Sequence, residues 1–339
     1  MSILKYITTF FILITTVSST VQAQDVSQVP FTVDPHLPNN QVDNVGGYFS
    51  LEVEPEHEQE LEVTINNRLT DDLTVTMEPV NAYTHPSGGI IYSEDASENA
   101  FLLDDDFAIA SNMSVEEGSV TIPAESSVDV SIDLTVPDVE AENLLGGILF
   151  TSEGIAGEEV ETEGEESNFV VETEVAIAMA VQLNLPFETE QNFSFGEAGF
   201  LPNNAQIYLE MTNEAPFIQN NVSGEYEVYD DADDMLMEGE FGSFNMAPMS
   251  QMTFPFRWDH PTLDPGTYTV AVDTDINGQQ ITEERTFTIE EQQVEEYVER
   301  NMPEVATQTN DQPWLWVFLG SLGGALIIGT VMFLVFRRK

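Results

Sequence analysis

Apolar and polar residues alternate with a period of two along most of this chain. The alternation runs through Tyr48 to Glu54, Glu60 to Asn66, Leu73 to Met77, Val128 to Val136 and Thr267 to Asp273. Successive side chains of a strand point to opposite faces, so this spacing predicts strands with one dry and one wet face. Turn residues separate the runs at intervals of about 8 to 12 positions, the layout of antiparallel sandwiches. Pro55, Pro79, Pro123 and Pro137 fall at run ends, where a missing N–H does least harm to a ladder. Helical periodicity occurs only at Glu290 to Arg300. The expectation is an all-β chain of two immunoglobulin-like β-sandwich domains in tandem.

Three stretches break the alternation. Glu153 to Glu166 is rich in Gly and Glu and poor in core-forming residues, which suits either an interdomain linker or a long solvated hairpin loop. Phe169 to Leu185 follows as the longest apolar β run, able to close a first sandwich or open a second. Met302 to Gln312 is polar and aperiodic, so 301–313 reads as a stalk. The domains are accordingly placed at 30–155 and 165–300.

The ends set a topology. Met1 to Ala23 has one cation (Lys5), an apolar stretch from Tyr6 to Val17, and small or polar residues ending at Ala23, the layout of a secretory signal peptide at 1–23. An uncleaved anchor is the alternative. Trp314 to Phe336 carries no charge, and at about 1.5 Å per residue it reaches roughly 35 Å, enough for a transmembrane helix. Trp314 and Trp316 suit the outer interface, and Arg337, Arg338 and Lys339 form a cytoplasmic tail at 337–339. Gly320 and Gly324 make a GxxxG that suits helix packing or is ordinary membrane glycine. The chain is thus expected in the cell membrane as a single-pass protein, its body extracellular and its C-terminus cytoplasmic.

Charge then narrows the habitat and the partners. The formal net charge is −53, from 61 acidic and 8 basic residues. Four of those basic residues lie at the ends, leaving Arg68, Arg257, Arg285 and Arg300 among all the acids. Such a body repels itself at low ionic strength, and screening shortens to about 3 Å at 1 M salt, which points to a halophile or an alkaliphile. Nucleic acid is excluded as a partner because no basic surface could neutralise phosphates. Without cysteine an exported protein has no disulfides, which suits a Gram-positive surface better than an animal one. The sequons at Asn112, Asn192 and Asn221 then carry little meaning.

Chemistry is mostly missing. His36, His57, His85 and His260 are scattered, with no pair at metal-ligand spacing. No nucleophile elbow, zincin helix or glycine-rich phosphate loop occurs, so no catalytic, cofactor-binding or metal residue is assigned and the chain is read as a non-enzyme. Asp273 to Glu284 fits the spacing of a calcium loop, but its flanks alternate as strands and Asn277-Gly278 is the preferred pair of a two-residue hairpin turn. A hairpin is expected there. Asp104 to Asp106 and Asp230 to Asp234 read as acidic loops.

The order of segments carries a resemblance. Phe31 to Gln41 is followed by Gly47 to Val53, Leu61 to Asn67, Val120 to Ser127 and Gly146 to Phe150; the second half has Met246 to Trp258, Leu263 to Tyr268 and Thr286 to Ile289. In this order the chain resembles the WxL-interacting proteins of Gram-positive cell surfaces. The resemblance implies a first domain of the peptidoglycan-binding type, a second of the host-binding type, and partners that carry the WxL domain. Trp314-Leu315-Trp316 is not that W-x-L motif, so this chain would be the anchored partner. The acidity fits brine or alkali better than an animal host and speaks against a host matrix ligand. The expected function is a cell-surface scaffold that anchors WxL-domain complexes and contacts peptidoglycan; a stand-alone adhesin or polymer-binding receptor is the alternative.

The charge balance makes a measurable demand. The melting temperature of the body, Gln24 to Asn310, should climb steeply between low salt and about 1 M salt. A flat dependence, measured by calorimetry, would mean that the charges are already compensated, as bound divalent ions would do.

Overall fold

The computed structural model describes residues 29–152, 155–156 and 172–301. The signal at 1–23, most of the Glu153 to Glu166 stretch, the stalk beyond 301, the span at 314–336 and the tail lie outside them. Among the described residues no helix is long and apolar enough to cross a membrane.

Among the described residues thirteen strands run up to Asn184. They are β1 (Phe31–His36), β2 (Phe49–Glu52), β3 (Glu58–Asn67), β4 (Leu73–Thr84), β5 (Ile90–Ser93), β6 (Ala100–Leu102), β7 (Met113–Val115), β8 (Ser119–Ile122), β9 (Ser127–Thr135), β10 (Asn143–Ser152), β11 (Ile155–Ala156), β12 (Glu172–Thr173) and β13 (Ala176–Asn184). One sheet runs β1-β3-β9-β7; the other runs β2-β13-β10-β4-β5, with β8 also on β4. Between them Phe31, Phe49, Leu61, Ile65, Ile132, Ile148 and Phe150 are buried, each contributed by an inward position of the two-residue alternation.

The second sandwich comprises β14 (Phe193–Leu201), β15 (Gln206–Asn213), β16 (Gln219–Tyr229), β17 (Met235–Met246), β18 (Ser250–Arg257), β19 (Gly266–Ile276) and β20 (Gln279–Ile289), followed by α1 (Glu291–Asn301). Its sheets run β14-β15-β18-β6 and β17-β16-β19-β20. The helix expected over Glu290 to Arg300 is α1, and its Val294 and Tyr297 pack on this second core. Arg285 on β20 ties the two sheets together: its Nε donates to the Gly196 carbonyl (2.9 Å) and its Nη2 to that of Phe195 (2.7 Å), beside the bulge between Phe195 and Ala198.

Two points refine the sequence reading. The run that could close the first sandwich or open the second closes the first: β13 pairs antiparallel with β10 and parallel with β2. β11 also pairs antiparallel with β12, on the near side of the crossing between sandwiches, which follows Asn184. The other point is a correction. Pro79 lies inside β4 and not at its end. On the side away from β10, β4 pairs with β8 through Leu73 to Thr76 and with β5 through Asn81 to Thr84. Pro79 occupies the gap between these partners, where a residue without an N–H leaves no ladder bond unmade.

A shared strand joins the sandwiches. β6 leaves the first domain's sequence and adds to the β18 edge of the second, pairing Ala100 with Met252 and Leu102 with Ser250. Leu103 N–H donates to the Met249 carbonyl (2.8 Å), and Thr253 N–H to that of Asn99 (3.0 Å). Beside this seam Thr84 Oγ1 accepts from Ala247 N–H (2.9 Å) and lies 2.6 Å from Ser250 Oγ, which itself donates to the Ala247 carbonyl (2.7 Å). The single hydroxyl proton of Ser250 is thereby used, so Thr84 is the donor to Ser250. Both residues are fully buried.

Two expectations follow from these contacts. Thr84→Val leaves the buried Ala247 N–H without an acceptor and removes the donor to Ser250, which costs about 1–3 kcal/mol; the urea midpoint should fall, while Thr84→Ser, which keeps the ring of bonds, should lose less. The calcium-like segment forms the β19–β20 hairpin, with Asn277 and Gly278 at positive φ and Gly278 N–H donating to Asp275 Oδ1 (2.8 Å). Asp275 faces Gln280 and Glu284 faces Ala271, four positions and roughly 13 Å apart along the strand. Calorimetry should therefore find calcium binding unchanged by Asp275→Ala with Glu284→Gln; a tight site lost in the double variant would contradict the hairpin assignment.

Candidate functional site

Two clefts concentrate polar side chains. The first, about 740 Å³, lies at one end of the first sandwich. The loop from Pro38 to Tyr48 builds one wall, held by Gln41, whose Nε2 donates to the Val45 and Tyr48 carbonyls (3.2 and 3.1 Å) and whose Oε1 accepts from Ser50 N–H (3.1 Å). This clamp presents Asn40 to Gln59, and the two amides bond reciprocally at 2.9 and 3.1 Å. Glu52, Glu54 and His57 also line the cleft. It is a polar groove with two carboxylates.

The second cleft, about 450 Å³, lies between the sandwiches. Its floor is the outer face of β10 and β13, where Ala178 and Ala180 present small side chains. Tyr92 on β5 reaches over this face: a Cβ on Gly147 would stand 3.3 Å from Tyr92 Cδ1, a tight contact, and 2.5 Å from the Met179 carbonyl, which is what requires glycine there. Burial pushes the Tyr92 phenol up to about 12, with the neighbouring Tyr48 adding to the shift. Desolvation penalises the phenolate, which keeps the ring neutral across any ordinary pH. Neither phenol hydroxyl bonds to another described residue.

The walls of this second cleft are amides. Asn184 is oriented by donating to the Leu51 carbonyl (3.2 Å), so its Oδ1 is the acceptor for Gln182 Nε2 (2.7 Å) and Asn143 Nδ2 (3.0 Å). Asn143 Oδ1 then accepts from Ile218 N–H (3.4 Å) across the domain junction, where Glu142 and Asn143 N–H also donate to the Pro216 carbonyl. On the facing side β16 bulges between Gln219 and Val222, which re-aims this segment and places Asn220 on the cleft. Asn221, at positive φ, donates its N–H to Asn245 Oδ1 (3.2 Å).

The residues weighed from sequence alone are not gathered by the fold. His36 bonds Glu62 and Thr64, His85 bonds Ser87, His260 bonds Thr262, and His57 lies in the first cleft. Asp104 caps a short 3₁₀ turn by accepting from Asp106 N–H, and Asp230 accepts from Ala232 and Asp234 N–H, so both acidic runs hold loops. Among the described residues no three His, Cys, Asp or Glu side chains cluster as metal ligands would. No ligand-binding residue of either cleft was legible in the sequence; Asn39-Asn40-Gln41 and Asn220-Asn221 are amide-rich, but no spacing ties them to their distant partners.

Comparison with known proteins places this architecture. The profile of the WxL Interacting Protein peptidoglycan binding domain matches residues 31–152, and that of the WxL Interacting Protein host binding domain matches 166–299. No curated protein matches the chain. Solved structures align at low identity. The CsuC–CsuE chaperone–tip adhesion subunit complex of Acinetobacter baumannii aligns at 9% identity and a TM-score of 0.33, over 76% of this chain and 99% of its own. The E. coli chaperone DraB aligns at 14% and 0.31, over 77% and 97%. The SafA pilin–SafB chaperone complex of Salmonella enterica aligns at 14% and 0.29, over 76% and 97%. The two profiles together span most of the sequence, in order and without overlap, and the chain belongs to the WxL Interacting Protein family.

Proposed function

We propose that this protein is a non-enzymatic scaffold of the cell surface, with a first domain that contacts peptidoglycan and a second that captures a WxL-domain protein. One observation carries the reading: two sandwiches, each coinciding in the main with a binding-domain profile, are fused through a shared strand into one unit. In this reading Gln24 begins the mature chain, 301–313 is the stalk, and 314–336 anchors the body outside the membrane with 337–339 in the cytoplasm. The sandwiches are of the immunoglobulin-like type, with end loops and edge strands free for partners. A body this acidic cannot hold anionic wall polymers by opposite charge. Contact then depends on shape, hydrogen bonds or bridging divalent cations.

The full chain should sediment with purified wall sacculi and retain a WxL-domain protein, and both interactions should survive 1 M salt. Repeating the assay with a chelator separates direct contact from cation bridging. Sedimentation without partner capture would leave a stand-alone receptor, and failure of both would remove the scaffold reading.

A further inference from the structure

We infer that the cleft between the two sandwiches is the glycan-binding site, and that it takes a neutral, acetamido-bearing sugar. This rests on the peptidoglycan-binding reading and adds to it the place and the chemistry.

None of the residues lining this cleft is charged, although the chain carries 61 acids. The first cleft differs in this respect, since Glu52 and Glu54 face it. Polar capacity in the junction cleft comes from amides and phenols, which recognise a neutral ligand without repelling it. Their orientation is set in advance. Gln182 spends an Nε2 hydrogen on Asn184, so the Oε1 that remains, with no partner among the described residues, is an acceptor. Asn245 spends its Oδ1 on Asn221 N–H, so the free group there is the Nδ2 donor. An acetamido substituent offers the reverse pair, one N–H and one carbonyl, and ring hydroxyls serve either side.

The apolar part of the cleft fits the same ligand. Tyr48 and Tyr92 are half-buried and keep free hydroxyls, and an aromatic body with a polar tip suits a sugar's alternating C–H and O–H groups. Ala178 and Ala180 keep the floor flat, and about 450 Å³ lies within the usual range of ligand sites. The floor strand β10 is paired with β13 on one side and, from Gly146 on, with β4 on the other, so it offers no backbone edge there, whereas β13 pairs with β2 only through Val181 to Asn184; a peptide is therefore included among the outcomes of the test.

The test uses the full chain with two probes, wall sacculi and the soluble tetramer of N-acetylglucosamine. Wild type should bind both. Gln182→Met with Asn245→Ala should weaken each by about tenfold or more, as expected when two oriented hydrogen bonds are lost. Gln59→Ala in the first cleft should change neither, and melting curves should confirm that the variants fold. Asn245→Asp, at an exposed position, supplies a second variant that keeps the fold and converts the donor to a repelling acceptor. Sacculus binding unchanged in all junction variants would overturn the inference while leaving peptidoglycan binding intact. Sacculus binding lost in those variants without any tetramer binding would assign the cleft to the stem peptide and overturn the sugar. Wild type that binds neither probe would instead remove the peptidoglycan reading itself.

Discussion

The pairing of Ala100 to Leu102 with the β18 edge is the contact on which the rest of this structure depends. A strand drawn from the first domain completes a sheet of the second, so the ladder is satisfied only when both sandwiches hold their mutual position. The Thr84, Ser250 and Ala247 bonds reinforce it from a site with no access to water. An unpaired polar group there is costly, which makes the junction discriminating as well as adhesive. Gly88 adds a steric reason: a Cβ at this position would stand 2.8 Å from the Phe244 ring of the other domain. The junction cleft exists because this seam fixes both of its walls.

Electrostatics works by scarcity. Among the described residues Arg285 and Arg300 form ion pairs, with Glu283 and Glu296 at 2.8 Å each. Pairs with this much access to solvent contribute little. The stronger use of Arg285 is mechanical, since its guanidinium caps the Phe195 and Gly196 carbonyls freed at the β14 bulge. Stability must come from the two apolar cores and from buried amides. Asn67 and Asn213 do in each sandwich what a cation could do elsewhere: Asn67 Nδ2 reaches the Asp71, Ile122 and Pro123 carbonyls, and Asn213 Nδ2 those of Phe217 and Ala247. The same preference for amides over charges marks the junction cleft.

The segments that carried the family resemblance are those that hold the fold. Trp258 packs edge-on to Tyr268 at 5.3 Å, Tyr268 stacks on Phe287, and the Tyr268 hydroxyl donates to the Asp264 carbonyl (2.7 Å). Gly146 leaves room for Ile109, and Gly147 leaves room for Tyr92 and the Met179 carbonyl. Gln41 clamps its own loop. Such residues are constrained by neighbours close by or by a fixed core, so their order along the chain survives as a readable pattern, whereas the cleft residues have no such signature.

The alternation of apolar and polar positions determined the strands, because the pleat repeats every two residues whatever a strand later pairs with. It determined the β19–β20 hairpin too, since Asn277-Gly278 sets the turn locally against any reading of the acids around it. Partner choice is another matter. That β13 returns to the first sandwich, that Pro79 sits harmlessly where β4 changes partners, and that β6 crosses to the second domain all depend on which edges meet. So does the junction cleft, which gathers Tyr48, Tyr92, Gln182 and Asn245 from four separate stretches. Local chemistry is written in neighbouring residues, but contacts across a hundred or more positions are decided only when two cores pack and bring their surfaces together.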